Sequence, residues 1–363
     1  MDTIDQTFGP AETITLTVSG GLLRRFEVTA TVDQSDPSAA LSFRGITTLD
    51  LVGETVTVPV IMNLHETKIV IPDPAASIPP YTVRLIQINN LAGDIGWIEK
   101  TASDIGFSGT FQPWDVDFDN QGKIYIANNF PTDGSCVVIR LDNINDTSCE
   151  TIGTGSSNAI CAIAVDRFRN YLYYATNPIH LKRCNLDGTD DRELATIAGA
   201  AIIESITGLD VDAAGMLYIS GTTTGNAAAV FLYNPLTETV ISYYQTYLNN
   251  PSDIMVKSPY IYIANFRGAD NYKILQLQLN IAMQMQYTAG YGIQADIVNK
   301  NQGYFYGPRR FVGIRNDVLI VIDDHYDYNL DKLVSMQDMS GTGWATYGDE
   351  GKSTGQFQFF YAC

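Results

Sequence analysis

Between Trp114 and Asp323 the chain repeats itself, and no other feature narrows its possible folds as much. Five segments share one shape: a short apolar strand, an acidic or polar turn, then a second strand that ends in a small or polar residue. They are 114–128 (WDVDFDNQGKIYIAN), 163–176 (IAVDRFRNYLYYAT), 209–220 (LDVDAAGMLYIS), 253–265 (DIMVKSPYIYIAN) and 312–323 (VGIRNDVLIVID). Equivalent positions are Tyr125, Tyr173, Tyr218, Tyr262 and Ile320, which step by 48, 45, 44 and 58 residues. A unit of this size cannot bury its apolar face alone, so neighbouring units must stack.

A period of about 40 to 50 residues with short strands in each unit predicts a β-propeller. The blade count follows from the ends. The tail 351–358 (GKSTGQFQ) repeats the approach to the first unit, 106–112 (GFSGTFQ), so 357–361 reads as the innermost strand of a further blade. Its outer strands are 82–88 (TVRLIQI) and 97–100 (WIEK). Pairing the C-terminal strand with strands of 81–112 closes a ring of six blades, the last one strand short, and removes two open sheet edges.

Composition agrees with an all-β protein. Charged residues make up only 17%, while 21 tyrosines, 15 phenylalanines and 30 glycines suit half-buried strands and tight turns. The formal charge of −18 comes without a basic run, which disfavours nucleic acid and anionic membrane surfaces as partners. No apolar run approaches the length of a transmembrane helix.

The segment 71–80 (IPDPAASIPP) carries four prolines in ten residues and reads as an extended spacer. It divides the chain into 1–72, a proline-rich linker at 73–80, and the propeller at 81–363. In the first part, alternation in 13–18, 25–32 and 54–61 predicts strands with one buried face, hence a small N-terminal β-sandwich domain. Five cysteines show no C-x-x-C spacing, so a structural zinc site is not expected. Cys136 and Cys149 flank one predicted hairpin and are the expected disulfide in an oxidising compartment. Met1 is followed by neither a basic nor an apolar export signal.

Residues 163–176, followed by 181–188 (LKRCNLDG), resemble the YWTD repeat of lipoprotein-receptor-type propellers, and 111–128 looks like an NHL repeat. Both families build six-bladed propellers. In the YWTD family the recurring acidic residue is structural, which implies that task for Asp117, Asp119, Asp166, Asp210 and Asp212. Residues 20–30 (GGLLRRFEVTA), 43–45 and 49–62 resemble the immunoglobulin-like module that follows the lipid anchor of many bacterial surface lipoproteins. That resemblance implies an extracytoplasmic protein, in the cell envelope or secreted, whose signal and lipid-anchor segment lies upstream of Met1, because the first cysteine is Cys136.

In an antiparallel blade the end of the second strand and the start of the first lie at one end of the ring, around the channel mouth. This arrangement predicts a channel face bearing Trp114, Asn128, Asn129, Asn265, Arg267, Asp323, Asp324 and His325. Aromatic, amide and charged side chains there suit a protein, peptide or glycan ligand. The expected function is therefore a non-enzymatic binding protein. Asp323 with Asn128 and Asn265 can also offer oxygens to calcium, as in lactonases of the gluconolactonase type, but no glutamate opens the first blade at the channel. No serine or cysteine nucleophile elbow accompanies His180 or His325, so no catalytic residue is assigned. A third reading is a scaffold that binds through the blade rims. No other cofactor is indicated.

Overall fold

In a computed structural model of the chain, the residues described are 21–32, 41–51, 63–65, 69–73, 84–88, 97–129, 136–156, 160–176, 180–194, 203–266, 273–294, 302–315, 318–324, 332–350 and 356–357. The chain divides into two compact units, Met1–His65 and Glu66–Cys363.

In the first unit, Gly21–Val32, Leu41–Leu51 and Asn63–His65 form an antiparallel sheet in that order. The long first pair is in register from Arg24 opposite Leu49 to Val32 opposite Leu41. The strand expected at 25–32 lies within it, whereas those expected at 13–18 and 54–61 fall outside the described residues.

The second unit is a six-bladed β-propeller. Blade I consists of Ile69–Asp73, Arg84–Ile88 and Ile98–Lys100. Blade II follows with Pro113–Phe118, Ile124–Asn128, Cys136–Leu141 and Glu150–Ser156, and blade III with Ile160–Asp166, Tyr171–Thr176, His180–Asn185 and Arg192–Glu193. Blade IV contains Ile203–Val211, Leu217–Thr223, Ala228–Asn234 and Thr239–Tyr244. Blade V contains Pro251–Lys257, Tyr260–Asn265, Ile274–Leu279 and Met285–Tyr291, and blade VI contains Pro308–Arg315, Val318–Asp323, Lys332–Met336 and Ala345–Tyr347. The first strand of each blade lies beside the first strand of the next, and that of blade VI lies beside Ile69–Asp73. The ring is therefore closed. Among the described residues there is no α-helix, only the 3-10 turn Ser103–Ile105.

One local device explains why the repeat folds into hairpins. Asp119 accepts hydrogen bonds from the backbone N–H groups of Gln121 (2.8 Å) and Lys123 (2.9 Å), and from the Tyr125 hydroxyl (3.1 Å). Asp212 does the same for Ala214, Met216 and Tyr218. A left-handed glycine, Gly122 (φ 79°) or Gly215 (φ 73°), completes each turn at no steric cost. An aspartate and a tyrosine six residues apart thus fasten both ends of the hairpin.

A second set of aspartates joins the blades. Asp115 Oδ2 accepts from Ile163 N (2.9 Å) and Asp117 Oδ2 from Val165 N (2.7 Å), both on the following blade. Asp210 Oδ2 accepts from Val256 N (2.6 Å) and Asp253 Oδ2 from Phe311 N (2.8 Å), again one blade onward. Between these bonds the facing sheets bury apolar layers, such as Tyr173, Leu209, Leu217 and Phe231 between blades III and IV. Each such aliphatic side chain contributes about 1.5–3 kcal/mol on full burial. The acidic repeat is a fastening system, as expected.

Three expectations need correction. The strand that pairs with Arg84–Ile88 is Ile69–Asp73, not the C-terminal segment, so Pro72 stands inside a propeller strand instead of opening a spacer. Pro72 is tolerated there because Ile69–Asp73 is an edge strand of its sheet. The C-terminal segment Gln356–Phe357 pairs in parallel with Asp349–Glu350 and joins the ends by packing. Phe357 is buried with its ring 5.8 Å from Trp97 and 6.0 Å from Tyr347, and the Gln356 carbonyl accepts from Arg84 Nη2 (2.8 Å). Finally, no disulfide joins Cys136 and Cys149. Cys136 pairs with Ser156 at one end of the hairpin and Glu150 with Arg140 at the other. At about 3.3 Å per residue the two cysteines stand roughly 15 Å apart, beyond disulfide reach.

Candidate functional site

The second strands of blades II, V and VI end in Asn128, Asn265 and Asp323, so all three reach the same end of the ring. All three are buried. Asn128 Oδ1 accepts from Gln112 N (2.6 Å) and its Nδ2 donates to Thr110 O (2.9 Å). Asn265 repeats the arrangement with Asn249 N (2.7 Å) and Tyr247 O (3.1 Å). Asp323 Oδ1 accepts from Tyr306 N and Gly307 N (both 2.9 Å). These side chains hold the loop that enters the innermost strand of their own blade. The next residue completes the clamp through its backbone: Asn129 N donates to Gln112 O, Phe266 N to Asn250 O and Asp324 N to Gly307 O.

The charged groups at blades V and VI are turned inward. Asp323 lies 3.4 Å from Lys332 Nζ, and burial pushes its carboxyl above the ordinary carboxylate range despite that lysine. Asp324 accepts from Arg309 Nε (2.9 Å), whose guanidinium lies 3.4 Å from the centre of the Phe266 ring. Lys273 is buried, donates to the Phe266 and Tyr306 carbonyls, and is pushed down to about 8 by burial. Trp114 is only 3% exposed and belongs to the core with Tyr125, Ile163 and Ile320. Among the expected face residues, then, Asn128, Asn129, Asn265, Asp323 and Asp324 share one end of the ring but are buried in its framework, and Trp114 is core. Arg267 and His325 lie outside the described residues.

The sequence places Arg310 only beside the channel-mouth loops, yet it joins more blades than any residue expected on the face. Its Nη2 donates to Cys161 O of blade III (2.5 Å), and its Nη1 donates to Thr207 O of blade IV (2.8 Å) and Asp253 Oδ1 of blade V (3.3 Å). Asp115 of blade II lies 3.9 Å away. The guanidinium thus crosses the middle of the ring. Burial raises Asp115, and raises Asp253 to about 7, against the pull of the Arg310 charge. Asp210 is raised to about 8, first by burial and then by the charge of Asp117. No cluster of three or more His, Cys, Asp or Glu side chains among the described residues is placed to hold a metal ion.

What the rim of blades IV and V does expose is tyrosine. Tyr247, in the connection from blade IV to blade V, is 48% exposed, and Tyr287, on the outer strand of blade V, is 36% exposed. Their ring centres lie 5.0 Å apart at 57°. Tyr247 has φ 61°, a left-handed backbone that costs a residue with a Cβ about 1–2 kcal/mol. Its carbonyl is held by the buried Asn265 amide. Asn265, expected to touch a ligand, instead supports a loop that carries an exposed tyrosine.

Comparison with known proteins finds no matching family model and no matching curated protein. Among solved structures, one chain of a crystal structure of a nidogen/laminin complex matches with a TM-score of 0.54 at 13% identity, over 77% of this chain and 92% of that one. A structural-genomics protein of unknown function from Bacteroides thetaiotaomicron VPI-5482 gives a TM-score of 0.49 at 13% identity, over 98% of this chain and 89% of that one. At such identity the nidogen/laminin match is a likeness of fold. No helix among the described residues is long and apolar enough to cross a membrane.

Proposed function

We propose that the chain is a non-enzymatic binding protein of the cell envelope or the secreted space, which holds a macromolecular partner on the rim of blades IV and V. One observation carries this reading. The polar residues at the channel mouth are bonded to their own loops, while the Tyr247–Tyr287 pair on the rim stays open to solvent. The fold is compatible with such a role, since a chain of the same fold occurs in the nidogen/laminin complex. The extracytoplasmic setting rests on the resemblance of residues 20–62 to an anchor-proximal module.

Passing cell-envelope extract over the immobilised chain tests the reading, with retained material assayed for both protein and carbohydrate. Wild type should retain material that a Tyr247→Asn/Tyr287→Ala variant releases; equal retention would move the site elsewhere. Calcium calorimetry tests the hydrolase alternative. Tight binding that disappears in Asp323→Asn would replace the present reading.

A further inference from the structure

The surface around Tyr247 and Tyr287 differs from the rest of the chain in charge. Residues 239–252 and 274–294 contain no Asp, Glu, Lys, Arg or His, in a protein with 40 acidic and 22 basic residues. The fold brings these two runs together. They supply the outer strand of blade IV, the connection to blade V, and the outer hairpin of blade V; the outer strands of the two blades are neighbours, and Ser242 Oγ donates to Met283 O across the gap.

Two further features set this sector apart. Met285–Tyr291 is the edge strand of its sheet, and edge strands exposed to water normally carry charges that block pairing. This one carries none. Moreover, Tyr247 occupies a left-handed backbone conformation with its ring half in solvent, so its strain is not offset by full burial. Strain held at an exposed aromatic residue points to a binding role more than to a folding role.

From these observations, and resting on the binding function proposed above, we infer that the sector takes a neutral polysaccharide. A basic protein partner would be matched by carboxylates, which this sector lacks within a strongly acidic chain. An apolar protein face would need a continuous apolar surface, whereas here the exposed apolar side chains, Ile241, Tyr243, Ile281 and Ile293 as well as the two tyrosines, are interspersed with the exposed amides and hydroxyls of Gln245, Thr246, Asn249, Gln286 and Thr288. That mixture fits an uncharged polyhydroxylated chain. The C–H faces of its sugar rings pack on the two tyrosines, which present an apolar body with a polar tip, and its hydroxyls bond to the amides.

Native gels cast with dextran, laminarin, mannan or xyloglucan, and with alginate as an acidic control, test the assignment. The chain should be retarded in at least one neutral gel, and the apparent affinity should fall at least tenfold in Tyr247→Asn/Tyr287→Ala. Asparagine accepts the left-handed backbone, so the melting temperature of Tyr247→Asn should be no lower than that of wild type. Lack of retardation in every neutral gel, retardation by alginate alone, or equal retardation of the double variant would overturn the assignment. If wild type ignores all the gels yet still retains envelope protein through the two tyrosines, the glycan assignment fails while the binding function stands. A dimer of this chain abolished by the same substitutions would also overturn it, naming a second copy as the occupant.

Discussion

Arg310 Nη1 on blade VI lies 3.3 Å from Asp253 Oδ1 on blade V, and the other oxygen of that carboxylate accepts from the backbone N–H of Phe311 on blade VI. The pair links the two blades twice. Its guanidinium reaches onward to the carbonyls of Cys161 and Thr207, so four blades share one cation. Removing one partner from a buried ion pair typically costs about 3–5 kcal/mol, because the other charge is left uncompensated. Arg310→Met should therefore lower stability by roughly that amount, read as a shift of the urea midpoint. A midpoint equal to that of wild type would show that the guanidinium is not structural.

The pH dependence of stability follows from the same carboxylates. Asp253 is raised to about 7 and Asp210 to about 8, and Asp115 and Asp323 are raised as well, so the folded state holds protons that the unfolded chain releases near the ordinary carboxylate value. The stability these groups supply is complete below that value and is lost as pH rises through the folded values. The melting temperature should be higher at about pH 5 than at about pH 8, with a slope of up to about 1.4 kcal/mol per pH unit for each group. Asp210→Asn keeps an acceptor for Val256 N and should flatten the slope. A stability that rises over this window would contradict the burial of these groups.

Phe357 packs against Trp97 of the segment leading into the last strand of blade I and Tyr347 of blade VI. Phe357→Ala leaves a void at the seam of the ring and should cost about 3–5 kcal/mol. An unchanged melting temperature would mean that the seam holds without the C-terminal segment.

The cysteines give a chemical test of the hairpin register in blade II. Cys149 is half-buried, whereas Cys136, Cys161 and Cys184 are buried, and burial pushes the Cys184 thiol up to about 12. Burial raises the Cys149 thiol as well, but exposure favours it, so among these four cysteines iodoacetamide should label Cys149 first in the native protein. A peptide map with Cys136 linked to Cys149 would contradict the register.

The repeat is legible because local signals mark its hairpins, as where an aspartate and a tyrosine six residues apart, Asp119–Tyr125 and Asp212–Tyr218, fasten those of blades II and IV. Ring closure is not. Ile69–Asp73 contains Pro72, whose neighbours in sequence look like a spacer, and only its pairing with Arg84–Ile88 reveals a strand. Asn128, Asn265 and Asp323 look open to ligand in the sequence because a polar residue after a strand looks the same whether it faces solvent or clamps a loop. The distinguishing signal is distance along the chain, since their loop partners lie 16, 16 and 17 residues upstream, at Gln112, Asn249 and Tyr306. The bonds that Arg310 makes across the ring are illegible for a different reason: its partners come from blades up to 149 residues away.

In the proposed function the buried amides at the loop end hold the fold while the exposed tyrosines hold the partner. Asn128→Ala separates the two roles, because it leaves Gln112 N and Thr110 O without their partner and touches nothing near Tyr247. Measured below its melting transition, this variant should retain envelope material as wild type does, while its urea midpoint reports a loss of about 1–3 kcal/mol. Loss of retention with an unchanged midpoint would place Asn128 in the binding site and contradict the account.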